Sequence, residues 1–125
     1  MTTPAPFPRR VPKPWGHELI FAETERYVGK ILVIETGKRL SLQYHEHKDE
    51  WIHLLSGRLE LLLEDATGVD RSRTLGPGDG AHVLPGRRHR FEALERCEIV
   101  EVSTPELDDV IRLSDDYGRE GTSLP

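Results

Sequence analysis

Residues 37–57 read GKRLSLQYHEHKDEWIHLLSG, which sets Gly37, Gln43, His45, Glu50 and Gly57 apart by five, one, four and six intervening residues. Side chains alternate faces along a strand, so Arg39, Ser41, Gln43 and His45 share one face, and Leu40, Leu42 and Tyr44 share the other. A polar residue at every second position is ordinarily a solvent face, but the next strand argues otherwise. Glu50 stands in line with Ile52 and Leu54, and the strand after it supplies Leu59, Leu61 and Leu63. A carboxylate in line with a leucine-lined interior is costly unless it is paired or ligated. A metal held jointly with Gln43 and His45 would remove that cost. A second segment, GDGAHVLPGRRH over residues 78–89, places His89 just beyond a Pro85-Gly86 turn, where it can reach across a barrel mouth. Two imidazoles, a carboxylate and an amide oxygen suit a divalent metal such as Zn, Mn, Fe or Ni.

Working outward, the chain reads as short strands separated by turns. Glu18–Phe21, Val28–Glu35, Arg39–His45, Glu50–Leu55 and Arg58–Leu63 come first. Arg71–Leu75, Gly80–Leu84, His89–Leu94 and Glu98–Ser103 follow, with Gly37, Ser56-Gly57, Glu64–Asp70 and residues 76–80 as punctuation. Strands at this spacing, with no sustained helical period, predict an antiparallel sandwich or barrel. Five prolines in residues 1–14 exclude a helix or an inner strand and predict an extended arm. The acidic tail from 105 to 125 is expected to hold one short helix around Leu107–Leu113. The predicted organisation is therefore an arm over 1–14, a barrel over 15–104 and a tail over 105–125.

At 125 residues there is room for one core. A net charge of −5 argues against nucleic acid as a partner, since that role needs a positive face. No apolar run approaches a transmembrane length, and no continuous apolar stretch marks a secretory signal, so no membrane association is expected. The single cysteine, Cys97, excludes an intrachain disulfide, fits a reducing cytoplasm and reads as a packed strand residue.

The two segments resemble the two motifs of the cupin superfamily, a small jelly-roll β-barrel that holds a metal inside. Every spacing of the first motif is kept, with Gln43 where many cupins carry the first histidine. In the second, Leu84 and Ala93 stand where proline and asparagine are common. Together with KPWGHE (13–18), RYVGKIL (26–32), HRFEA (89–93), VSTPELDDVIRL (102–113) and DDYGR (115–119), the chain resembles type II mannose-6-phosphate isomerases and the cupin domain fused to GDP-mannose pyrophosphorylases. The resemblance implies an all-β, single-domain cupin. Its metal ligands would be Gln43, His45, Glu50 and His89, holding one divalent ion, zinc first and manganese, nickel or iron next. The implied reaction is aldose–ketose isomerisation of a phosphorylated sugar.

That chemistry needs a carbonyl electrophile and a base. Glu50 is committed to the metal, which leaves His47 as a candidate from the loop after His45. No glycine-rich loop opens a helix, so a phosphate must be held by side chains. Arg39 is the first choice, for binding and catalysis alike, because it shares the face of Gln43 and His45; Lys30 and Arg88 come next. The outward row Trp51, His53 and Leu55 predicts a covered face, and hence a homodimer. A cupin oxygenase using iron or manganese, or a non-catalytic sugar- or metal-binding cupin, remains an alternative to the isomerase.

Overall fold

The computed structural model describes residues 8–122 as nine strands, with no helix among them. These are β1 (Arg9–Lys13), β2 (Gly16–Glu23), β3 (Val28–Ile34), β4 (Leu42–Tyr44), β5 (Glu50–Glu64), β6 (Asp70–Leu75), β7 (Gly80–Val83), β8 (His89–Ser103) and β9 (Ile111–Ser114). All pairings are antiparallel. The sheet runs β1-β2-β3-β8-β4-β9, and β5 pairs with β6, β7 and β8. Curled in this way, it is the all-β jelly roll that the strand spacing implied.

Two pairs of expected strands are single long ones. Glu50–Leu55 and Arg58–Leu63 join as β5, and His89–Leu94 and Glu98–Ser103 join as β8. The two lie side by side with register shifts between Leu54 and Leu59. Gly57 makes that irregularity possible. Its φ of +91° is left-handed, and an added Cβ would lie 2.1 Å from the Arg96 carbonyl oxygen. Gly57→Ala is therefore expected to cost about 3 kcal/mol or more, read as a lower urea midpoint.

Both ends depart from expectation. Part of the proline arm, Arg9–Lys13, is an outer strand of the chain's own sheet, where Pro12 sits opposite His17 at an edge that needs no donor. The arm before Pro8 lies outside the described residues. The helix expected around Leu107–Leu113 does not form. Ile111–Ser114 is an edge strand on β4 instead, because Ile111 and Arg112 take up backbone pairing with Tyr44 and Gln43. Among the described residues, no helix is long and apolar enough to cross a membrane.

The core is built from the inward parity of three strands: Leu32 and Ile34 on β3, Ile52, Leu54, Leu59 and Leu61 on β5, and Phe91, Ala93, Cys97 and Ile99 on β8. Each fully buried aliphatic side chain contributes about 2 kcal/mol. Cys97 is packed as expected; its Sγ lies 3.1 Å from the carbonyl oxygens of Arg58 and Glu95, either of which can accept its one S–H, and burial pushes its pKa up to about 11. The same parity carries charged groups inside, since Lys30, Glu50, His89 and Glu101 continue these rows and each is at most 6% exposed.

Candidate metal centre

His45 directly follows β4, Glu50 begins β5 and His89 begins β8. The sheet gathers them: Gln43 lies opposite His89, and Leu63 of β5 pairs with His89 from the other side. One ligand atom from each of His45, Glu50 and His89 falls within 4.8 Å of the others, and all three residues are buried. Glu50 Oε1 is 3.5 Å from His45 Nε2 and 3.4 Å from His89 Nε2.

Both imidazoles are oriented by backbone. His45 Nδ1 donates to the Asp109 carbonyl at 2.5 Å and His89 Nδ1 to the Arg87 carbonyl at 3.0 Å. With Nδ1 protonated, each neutral ring presents an Nε2 lone pair toward Glu50. His45 Nε2 and His89 Nε2 are buried without a hydrogen-bond partner, and both face Glu50 Oε1, while Glu50 Oε2 meets Lys48 Nζ at 3.3 Å. Two orphaned imidazole nitrogens converging on one carboxylate oxygen are expensive unless a cation joins them. Two imidazole nitrogens and one carboxylate are the donor set such a cation takes. The residues therefore fit a divalent metal ion. Gln43 lines the same cavity, and its Oε1 accepts the Ser41 hydroxyl at 2.5 Å.

Behind the triad runs a chain of buried ion pairs. Lys48 Nζ is 3.3 Å from Glu50 and 3.1 Å from Glu101, while Lys30 Nζ is 3.5 Å from Glu101 and 3.1 Å from Glu18. Burial alone would raise the Glu50 carboxyl, but Lys48 and the two imidazoles outweigh it and hold it well below the usual range. Burial also works against the Lys48 charge, and Glu101 and Glu50 more than offset it, so its pKa is raised. Glu101 is pushed up by burial and by the nearby Glu50 charge. Burial pushes His89 down to about 4.

The His89 shift gives a pH expectation for the metal-free protein. The unfolded chain takes up this proton near pH 6.5, the folded chain only near pH 4. The stability is fully present above 6.5 and is lost as pH falls through that window, by up to about 3 kcal/mol. His89→Leu should flatten the difference between urea midpoints at pH 7 and pH 4.5, measured with chelator present. The opposite contribution of Glu101, which favours the folded state on acidification, is common to both proteins.

The expected substrate and catalytic residues divide. Lys30 lines the cavity. Arg39 does not: its guanidinium makes a two-pronged pair with Asp116 at 2.6 and 2.9 Å near the surface. The cause is local, since 39–45 is no continuous strand. Arg39 makes an isolated bridge to Glu92, and a register shift falls between Leu42 and Gln43, so Leu40 is buried in the core and the expected alternation breaks. Arg88 is engaged with Asp70 and Glu64, and His47 is exposed beside Glu46. Neither lines the cavity.

The cavity, of about 260 Å³, is lined by Gln43, His45 and Glu50 and by cations that sequence reasoning missed: Lys13, Lys48, Arg112 and Arg119. Arg112 is buried; its Nη1 donates to the Thr122 carbonyl, and its Nε has no hydrogen-bond partner. Arg119 is held two-pronged by Asp115 at 2.8 and 3.0 Å. Burial lowers the pKa of Lys13, partly countered by Glu18 and deepened by Lys30, Arg112 and Arg119, which marks a crowd of positive charge. Glu101 had a legible signal, since it shares the parity of Cys97 and Ile99; Lys48 had none of that kind, because it lies in the loop before β5. Arg112 had none, because its place depends on β9 returning to β4.

Comparison with known proteins agrees with this geometry. The family described as "Cupin domain" matches residues 30–103. Mannose-1-phosphate guanylyltransferase ManC of Salmonella typhimurium is 29% identical over 116 residues, covering 89% of this chain and 23% of the relative. Xanthan biosynthesis protein XanB of Xanthomonas campestris is 30% identical over 116 residues, covering 89% and 24%. The chain thus spans under a quarter of the length of these relatives. Oxalate decarboxylase from Bacillus subtilis superimposes with a TM-score of 0.75 at 18% identity, over 84% of this chain and 30% of that one. KdgF from Halomonas sp. does so with a TM-score of 0.67 at 23% identity, over 75% and 83%. At such identities these structures speak to the fold alone. Through the family match and the barrel that carries it, the chain belongs to the cupin domain family.

Proposed function

We propose that this cupin is a metal-dependent isomerase of a phosphorylated sugar, interconverting aldose and ketose forms. The observation that carries the reading is one cavity lined both by His45 and Glu50 of the candidate metal centre and by a cluster of cations around Lys13 and Arg112. His45, Glu50 and His89, with Gln43, would hold a divalent ion, zinc first. Bound there, the metal supplies Lewis acidity toward carbonyl and hydroxyl oxygens. The protein does the rest. Lys13 and Arg112 hold the phosphate, the role the sequence suggested for Arg39 and Arg88. Glu18, on the cavity wall and tied to Lys30 at 3.1 Å, carries the proton between the adjacent sugar carbons. Its charge is maintained because Lys30 and Lys13 outweigh the effect of burial, and its pKa is lowered. The cavity lies at the small end of ligand pockets, which run to ~300–1,000 Å³, and favours a monosaccharide phosphate over a nucleotide sugar. The relatives named for mannose 1-phosphate chemistry are consistent with a mannose phosphate as the sugar.

Arg112→Ala is expected to raise KM for a hexose 6-phosphate by roughly 10- to 100-fold, as loss of one charged hydrogen bond implies. It should leave the binding of the neutral hexose unchanged. Equal losses for the two sugars, in direct binding assays, would remove the phosphate assignment.

We also propose a cytoplasmic homodimer built on the outer sheet face. Phe21, Tyr27, Trp51 and Val102 border one apolar groove there, each 45–55% exposed. Light scattering should give twice the monomer mass, and Trp51→Glu should halve it; a monomeric wild type at micromolar concentration would contradict this.

A further inference from the structure

Four consecutive backbone N–H groups, from Glu46 to Asp49, lie in the loop joining the ligands His45 and Glu50. None of them pairs within a sheet, yet all are satisfied by one stretch of the chain, residues 104–109. Asp109 Oδ1 accepts the Glu46 N–H at 3.0 Å, and Oδ2 accepts those of His47 at 2.7 Å and Lys48 at 2.9 Å. Thr104 Oγ1 accepts the Asp49 N–H at 3.0 Å, and its own N–H returns to the Asp49 carbonyl at 3.0 Å. The Asp109 main-chain carbonyl is also the group that receives His45 Nδ1. One residue, 64 positions along the chain, therefore grips the loop through its carboxylate and orients the imidazole through its backbone.

We propose that Asp109 is a positioning residue of the metal centre, setting both the path of the ligand loop and the tautomer of His45. This rests on the reading of His45, Glu50 and His89 as metal ligands. The physical case is one of coupling. The segment between β8 and β9 has no strand of its own at 104–110, so the position of the Asp109 carbonyl depends on what the carboxylate holds. Three N–H groups converging on two carboxylate oxygens fix it in register with the loop. Without them the carbonyl drifts, His45 can turn or protonate at Nε2, and the ligand atom is lost although no ligand has been changed. Partners beyond the ligands typically control about 10- to 100-fold in metal affinity.

The carboxylate is needed for its two acceptors. An asparagine offers one, and its amide N–H₂ would face an N–H donor. Alanine offers none.

The test is a titration of the metal-free protein with Co(II), followed by its visible absorption, on wild type, Asp109→Ala, Asp109→Asn and Thr104→Val. Thr104→Val removes a neighbouring acceptor from the same segment and leaves Asp109 intact. Thermal unfolding of each protein in chelator reports the stability cost separately. The expected result is about 10- to 100-fold weaker Co(II) binding for Asp109→Ala with an altered ligand-field band, an intermediate loss for Asp109→Asn, and Thr104→Val within about threefold of wild type. Wild-type affinity and band shape in both Asp109 variants would overturn the inference. So would an equal loss in Thr104→Val, which would mark general loosening. If Asp109→Ala does not fold, Asp109→Asn decides by the same criteria. A wild type that fails to bind Co(II) would overturn the metal reading itself, and this inference with it.

Discussion

His89→Ala is expected to raise the dissociation constant for a divalent cation by at least about 100-fold, more than the loss of a partner beyond the ligands would do. His89 is fully enclosed at 1% exposure, and no hydrogen bond satisfies its Nε2, while Nδ1 is spent on the Arg87 carbonyl. Alanine leaves a cation with two protein donors at most from the triad, too few to close a stable site. Calorimetric titration with Zn(II) and Mn(II) reads the effect directly. His45→Ala should match it, because the two rings are equivalent about Glu50 Oε1. Gln43→Ala should do less, since its amide oxygen already accepts the Ser41 hydroxyl. An unchanged affinity in His89→Ala would mean that the bound ion sits elsewhere.

Lys48→Met is expected to destabilise the metal-free protein by about 3–5 kcal/mol, the cost of breaking a buried ion pair by removing one partner. Lys48 stands between Glu50 at 3.3 Å and Glu101 at 3.1 Å, and all three side chains are at most 5% exposed. Removing its charge leaves Glu50 with no cation and Glu101 with only Lys30, at 3.5 Å. Two further results distinguish this from a simple packing loss. Added divalent metal should restore much of the stability in Lys48→Met, because a cation at the triad neutralises Glu50. Lys48→Met combined with Glu101→Gln should be more stable than Lys48→Met alone, by relieving one uncompensated carboxylate. Urea denaturation with and without metal measures both. The sign on the alkaline side follows too. The raised Lys48 pKa means its stabilisation is fully present below pH 10.5 and fades only above it.

The barrel was legible because parity and turn chemistry agree along most of the chain. Ile52 and Leu54 put Glu50 inside, and Gly57 marks the one place where β5 must bend. The triad was legible for the same reason: a carboxylate in an apolar row is too costly to stand there without a cation. The departures have local causes. Leu107, Val110, Ile111 and Leu113 fall near helical spacing, yet the backbone of Ile111 and Arg112 finds better partners on β4 than in a lone helical turn, which is marginal in water. Strict alternation placed Arg39 inside, and the irregularity at Leu42/Gln43 turned it out to Asp116. Lys13 and Arg112 were invisible as a pair because they are 99 positions apart and meet only across the closed sheet. Short-range patterns fix faces; they carry no information on which chain ends converge.

The most direct test of isomerase chemistry at this centre is to incubate the metal-loaded protein with a hexose 6-phosphate in deuterated water and follow the C2 proton by NMR. The expected result is loss of the C2 proton signal together with appearance of the ketose. The exchange should depend on metal and be abolished in His89→Ala and severely reduced in Glu18→Gln. Tight binding of the sugar phosphate with no C2 exchange and no ketose would contradict it, leaving a binding module in place of an isomerase.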